Sequence, residues 1–329
     1  MRALITGGAG FIGSHLASHL LASGATVCVL DDLSTGSRRN LAACEGHPRF
    51  RFVAGSVLDR PLLDALVPAH DVIFHLAAAV GVRRILAAPR QAIETNLRGT
   101  ENVLAAAAPY KPRVLIASTS EVYGKNSGGP LREDAPSILG PTTVTRWLYA
   151  ITKAADECLA LAYTRELGLP TVVVRLFNTI GPRQTGQYGM VVPRFVRQAL
   201  RGEPLTVYGD GRQTRCFTYV DDVVAALCTL ATHPGAVGEV FNVGQPREVS
   251  IESLAYLVRE LAGSSSPIVH VPYDEAYGPG FEDMARRVPD VSKLQRLTGF
   301  VAKVSLEEAL ERIIAAMRDE PEEPVSTVG

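Results

Sequence analysis

The chain has 329 residues, 33 Lys and Arg against 34 Asp and Glu, a formal net charge of −1, and 47% apolar residues. That hydrophobicity and charge balance exclude a largely disordered chain, and a charge near zero offers no electrostatic basis for nucleic acid or an anionic membrane as partner. No apolar run approaches the roughly 20 residues that cross a bilayer, so the length reads as one large domain or two medium ones.

In chain order, residues 2–6 read as a strand that runs straight into glycines, so no secretory leader is expected. Residues 11–23 carry Ile12, Leu16 and Leu20 at helical spacing. Apolar, β-branched strands follow at 26–30, 51–53, 72–76, 114–117 and 171–175, with helical patterning between them and a helix at 148–167. Buried strands alternating with helices predict an α/β fold, a doubly wound parallel sheet covered on both faces. Beyond residue 176 prolines and glycines become denser, with a short strand at 205–208 and helices at 250–262 and 305–318. The expected organisation is a dinucleotide-binding domain over 1–175, to which 217–245 returns, and a smaller C-terminal substrate lobe over 176–329. Residues 319–329, acidic and carrying two prolines, are expected to be a disordered tail. The five cysteines (Cys28, Cys44, Cys158, Cys216, Cys228) are scattered without a Cys-x-x-Cys pair, which points to reduced thiols in a cytoplasmic protein and to no zinc site.

The first strand ends in Gly7-Gly8-Ala9-Gly10-Phe11-Ile12-Gly13. Glycines there permit a tight turn and close approach of backbone to a pyrophosphate, which meets free N–H groups at the helix N-terminus. Asp31, at the end of the second strand, suits the two hydroxyls of an adenosine ribose and repels a 2′-phosphate, which favours NAD; Arg38 and Arg39, close by in sequence, keep NADP open. His15 and His19 share a metal-ligand spacing, but no third ligand accompanies them and no metal is expected.

Tyr149 and Lys153 stand at i and i+4, so one helix face carries a phenol and an ammonium. An ammonium beside a phenol favours the phenolate and makes it a base near neutral pH. With the glycine turn, this pair resembles the extended short-chain dehydrogenase/reductases that modify nucleotide sugars. The resemblance continues through Asp31-Asp32-Leu33-Ser34-Thr35-Gly36, His75-Leu76-Ala77-Ala78, Asn96-Leu97-Arg98-Gly99-Thr100 and Arg175-Leu176-Phe177-Asn178. It implies a Rossmann lobe holding NAD through Gly7, Gly10, Phe11, Ile12, Gly13, Asp31, Leu76, Ala77, Asn96, Tyr149 and Lys153, with Asp59 on the adenine. It also implies a UDP-sugar in the second lobe and a homodimer through a four-helix bundle of residues 94–108 and 147–167. Tyr149 would take the proton from the sugar O4, Lys153 would bind the nicotinamide ribose and lower the Tyr149 pKa, and Thr119 would bond the same oxygen.

Such enzymes share oxidation at C4 and diverge afterwards. The segment after Thr119 reads Ser120-Glu121. Dehydratases that it resembles carry Asp-Glu, simple 4-epimerases carry small or neutral residues, and UDP-glucuronate decarboxylases carry Ser-Glu. Oxidising C4 of a glucuronic acid makes a β-keto acid, which loses CO2 readily. A Glu121 carboxylate near the substrate carboxylate would destabilise that charged ground state, and Ser120 or Glu121 would help deliver a proton to C5. The other use for Glu121 is structural, a carboxylate hydrogen-bonded beside the site. Arg146-Trp147-Leu148-Tyr149 and the segments 277–283 and 286–290 are similar to decarboxylases of this kind, and Arg287 is expected at the sugar and phosphate end. UDP-glucuronate 4-epimerases hold the carboxylate with an Arg where this chain has Thr185. By the same resemblance Val192, Tyr208, Asn178 and Arg215 would bind the nucleotide diphosphate. The expected function is NAD-dependent decarboxylation of UDP-glucuronic acid to UDP-xylose or the UDP-4-keto-pentose; the alternative is a 4-epimerase of UDP-glucose or UDP-glucuronic acid.

Overall fold

The computed structural model describes residues 1–126, 128–186, 189–277 and 284–319. The first part runs β1 (Arg2–Thr6), α1 (Phe11–Ala22), β2 (Thr26–Asp31), β3 (Phe50–Ala54), α2 (Arg60–Leu66), β4 (Val72–His75), α3 (Val82–Ala87), α4 (Pro89–Ile93), a π-helical turn (Glu94–Arg98), α5 (Gly99–Ala107), β5 (Arg113–Thr119), α6 (Leu148–Leu167) and β6 (Thr171–Leu176). It continues with β7 (Thr179–Ile180), α7 (Val191–Arg201), β8 (Leu205–Tyr208), β9 (Thr214–Cys216), β10 (Thr218–Tyr219), α8 (Val220–Thr232) and β11 (Val240–Val243). The last elements are β12 (Glu248–Ser250), α9 (Ile251–Leu261), β13 (Ile268–Val271), α10 (Tyr273–Tyr277), β14 (Arg286–Arg287), α11 (Ser292–Thr298) and α12 (Leu306–Asp319).

Seven parallel strands form one sheet in the order β11-β6-β5-β4-β1-β2-β3. Successive side chains leave a strand on opposite faces, so Ala3 and Ile5 pack with Leu16 and Leu20 of α1 and Val223 and Leu227 of α8. Leu4 joins the opposite core, with Leu63 of α2, Val103 and Leu104 of α5 and Ala160 of α6. Both sheet faces are thereby buried, which is why these strands are almost uniformly apolar. Strand β11 lies beside β6 although it follows α7 and α8 in the chain.

The remaining strands form small sheets. In one of them β9 pairs with β12 and β14, and its register sets Arg287 opposite Arg215. Helix α12 includes Asp319, so the helix runs one residue into the expected tail. The rest of that tail, and residues 278–283 of the segment similar to decarboxylases, lie outside the described residues. No helix among the described residues is long and apolar enough to cross a membrane.

Candidate active site

One cavity of about 530 Å³ runs from the N-terminus of α1 across the C-terminal ends of β4 and β5 to β9 and β14. Ligands of open parallel sheets bind outside these strand ends. At the α1 end the backbone of Gly7 is left-handed, with φ +71°, and a Cβ there would stand 2.7 Å from the Ala77 nitrogen. A Cβ on Gly13 would stand 2.4 Å from the Gly7 carbonyl oxygen. Helix α1 is capped by Gly10 without a side-chain hydrogen bond, and its first turn carries no acidic residue. Nothing there competes with an anion for the helix N-terminus.

Asp31 accepts N–H bonds from Ala9 (2.9 Å) and Leu33 (2.8 Å). Burial pushes its carboxyl up, against those two bonds. Each carboxylate oxygen keeps acceptor capacity for a ribose hydroxyl. Arg38 is instead bonded to Glu45 (2.8 Å) and lies over the Phe52 ring, and neither Arg38 nor Arg39 lines the cavity. The cradle therefore fits NAD better than NADP. Phe11, Ile12, Leu76 and Ala77 line the same end, as expected.

Three expected cofactor contacts are placed elsewhere. Asp59 caps α2 by accepting the Leu62 N–H at 3.1 Å and does not line the cavity; Gly55, Ser56 and Val57 do. Asn96 is buried behind the wall, accepting from Ala79 N–H at 2.8 Å and donating to Thr152 Oγ1 at 3.2 Å. Lys153 is also buried, and its Nζ donates to Asp156 at 2.9 Å. The ammonium is thus paired with a carboxylate of its own helix. The Tyr149 phenol is in fact held well above its ordinary value, first by burial and then by the Glu121 and Asp156 carboxylates.

At the reactive end, β5 delivers Thr119, whose Oγ1 accepts the Glu121 N–H at 3.2 Å and starts a 3-10 turn over Ser120–Tyr123. Tyr149 opens α6 opposite it, and both line the cavity with Ser120, Glu121, Arg146 and Arg287. Glu121 is clamped: Arg146 Nη1 lies 2.6 Å from Oε2 and Arg287 Nη1 2.8 Å from Oε1. Arg287 also donates to Ser120 Oγ at 3.2 Å. Although burial opposes ionisation, Arg287 and Arg146 hold the Glu121 carboxyl at about 2. This corrects two expectations: Glu121 is no proton donor at neutral pH, and its charge is outweighed by the two arginines that hold it. Arg146, absent from the expected site, lies 5.6 Å from the centroid of the Trp147 ring, and Trp147 is fully buried against Gly140; a Cβ on Gly140 would meet the indole nitrogen at 2.1 Å. The signal was its position three residues before Tyr149, one helical turn away.

Asn178, Val192, Tyr208 and Arg215 line the other side of the cavity, together with Thr185 and Arg194. The Asn178 amide donates to the Cys216 carbonyl at 2.8 Å, so that N–H is committed to the fold rather than to a phosphate. Arg215 donates to the Thr214 carbonyl at 2.8 Å. Arg194, not singled out from sequence, stacks 3.8 Å from the Tyr208 ring centroid and donates to the Thr206 carbonyl. His15 bonds the Pro182 carbonyl through Nε2 (3.0 Å), and among the described residues no cluster of His, Cys, Asp or Glu is arranged to hold a metal.

Residues 3–244 match the model of the NAD dependent epimerase/dehydratase family. The UDP-N-acetyl-alpha-D-glucosaminuronate decarboxylase of Bacillus cytotoxicus is 46% identical over 97% of this chain and 98% of its own length. The UDP-glucuronic acid decarboxylase 1 of Xenopus tropicalis is 39% identical over 98% of this chain and 73% of its own. Among solved structures, the UDP-glucuronic acid 4-epimerase of Bacillus cereus, crystallised with UDP-glucuronic acid and NAD, superposes with a TM-score of 0.87 at 32% identity, covering 97% of this chain and 99% of that one.

Proposed function

The chain belongs to the NAD dependent epimerase/dehydratase family, and from that premise we propose that it decarboxylates a UDP-linked uronic acid, UDP-glucuronic acid or its 2-acetamido counterpart. The observation that carries this reading is the clamped Glu121 beside Tyr149. A 4,6-dehydratase needs an acid to protonate the departing hydroxyl. Here the candidates are Ser120, a hydroxyl, and Glu121, held ionised at about 2. Loss of CO2 needs no such acid, because the leaving group departs neutral. The decarboxylase names of two relatives, each matched over nearly all of this chain, support the same choice, and Thr185 brings no charge to retain a carboxylate.

Residues 1–175 with 217–245 serve in this reading as the cofactor lobe, where the glycine turn would hold the pyrophosphate and Asp31 the adenosine ribose. NAD held there would supply the two-electron acceptor for C4. Tyr149 takes the O4 proton, with Thr119 positioned to bond the same oxygen. The 4-keto sugar then breaks its C5–CO2 bond, and the electron pair moves into the C4 carbonyl as an enolate. C5 takes a proton from solvent, giving a UDP-4-keto-pentose that is released or reduced to UDP-xylose. Arg215 and Arg287, paired in register, would face the diphosphate and sugar. The helices at 94–108 and 147–167 are the proposed dimer contact.

Incubation with NAD and either UDP-glucuronic acid or its 2-acetamido counterpart tests the reading. CO2 and a UDP-pentose are expected. UDP-galacturonic acid without CO2 overturns it in favour of the 4-epimerase.

A further inference from the structure

We propose that Arg84 is the residue that recognises the substrate's carboxylate, a specificity contact that rests on the uronic-acid reading above. Helix α3 leaves β4 through Gly81, whose φ of +103° suits only glycine well. The next side chain, Ile85, is buried against Leu148 and Tyr149, and α3 packs on the turn that carries Arg146. Arg84, the neighbour of Ile85 on this helix, lines the cavity.

The other cavity arginines have bonds in place. Arg146 and Arg287 hold Glu121, Arg215 holds a backbone carbonyl, and Arg194 holds another and stacks on Tyr208. The Arg84 side chain makes no hydrogen bond or ion pair with any described residue. A guanidinium fork at a cavity wall matches a carboxylate in bidentate geometry. The phosphates have other sites: the α1 N-terminus for the cofactor and Arg215 for the sugar nucleotide. The carboxylate is the anion left to be met near Tyr149.

The contact belongs to the ground state. As the carboxylate becomes neutral CO2 the ion pair vanishes, so Arg84 strengthens binding and does not lower the barrier. Arg84→Met is expected to raise KM for the uronic acid by roughly 10- to 100-fold, the worth of a charged hydrogen bond, with kcat undiminished. Arg84→Lys, which keeps the charge and loses the fork, is expected to fall between.

The decisive measurement is calorimetric binding of UDP-glucuronic acid, UDP-glucose and UDP to NAD-loaded Tyr149→Phe protein with and without Arg84→Met. Selective loss of UDP-glucuronic acid affinity supports the assignment. Equal loss for all three ligands places Arg84 on the diphosphate and overturns it. Reduced NAD content with unchanged discrimination, or no change at all, overturns it too. Wild-type protein that releases no CO2 from either uronic acid sinks the underlying reading. CO2 release with the Arg84→Met preference intact sinks Arg84 alone.

Discussion

Glu121 is a carboxylate at the reactive end of the cavity whose chemistry is set by two neighbours from distant parts of the chain. Arg146 reaches it from the turn before α6 and Arg287 from β14. Because its folded pKa lies near 2, below the ordinary 4.5, the clamp contributes stability that is complete above about pH 4.5 and is lost as the pH falls towards 2. Arg146→Met should raise the Glu121 pKa, move that acid loss to higher pH, and add an acid limb to the kcat profile. A pH–rate profile alongside acid-unfolding curves checks this, and superimposable profiles for variant and wild type refute it. Tyr149, Thr119 and Glu121 were legible in sequence because local spacing carries their signal. The ionisation of Glu121 was not, since it depends on a partner 166 positions away. For Lys153 the i+4 relation to Tyr149 was visible in sequence, whereas its burial with Asp156, three residues on, is a product of tertiary packing.

At the scale of elements, the glycine turn and α1 were readable because the constraint is local: the strand must turn at once and the helix must approach its own preceding backbone. Gly13→Ala would place a methyl 2.4 Å from the Gly7 carbonyl oxygen, and backbone on both sides has little room to yield. That variant should retain at least about tenfold less NAD than wild type, reflecting loss of the helix-terminus site. The measurement is nucleotide released on denaturation; undiminished NAD content would show that the cradle is not the dinucleotide site. Asp59 and Asn96 show the limit of such reading. Each fits a family pattern, yet one is spent as a helix cap and the other as a strut between Ala79 and Thr152.

At the scale of the whole molecule, the cavity joins α1, the ends of β4 and β5, and the small β9–β12–β14 sheet. A ligand that spans these elements binds only the folded chain, so NAD at 100 times its Kd should stabilise by about 2.7 kcal/mol. A rise in Tm with NAD, absent in Gly13→Ala, is the expected calorimetric result; equal shifts in both proteins would count against the assigned cradle. The sequence by itself determined the α/β class, the glycine turn, Asp31 and the Tyr149 helix, because periodicity and short spacings report contacts between neighbours in the chain. Only the tertiary structure decided that β11 lies beside β6, that Arg146 and Arg287 close on Glu121, and that Arg84 faces the cavity uncommitted. Charge–charge energies depend on separation in space and on the exclusion of water, and neither quantity is written along the chain.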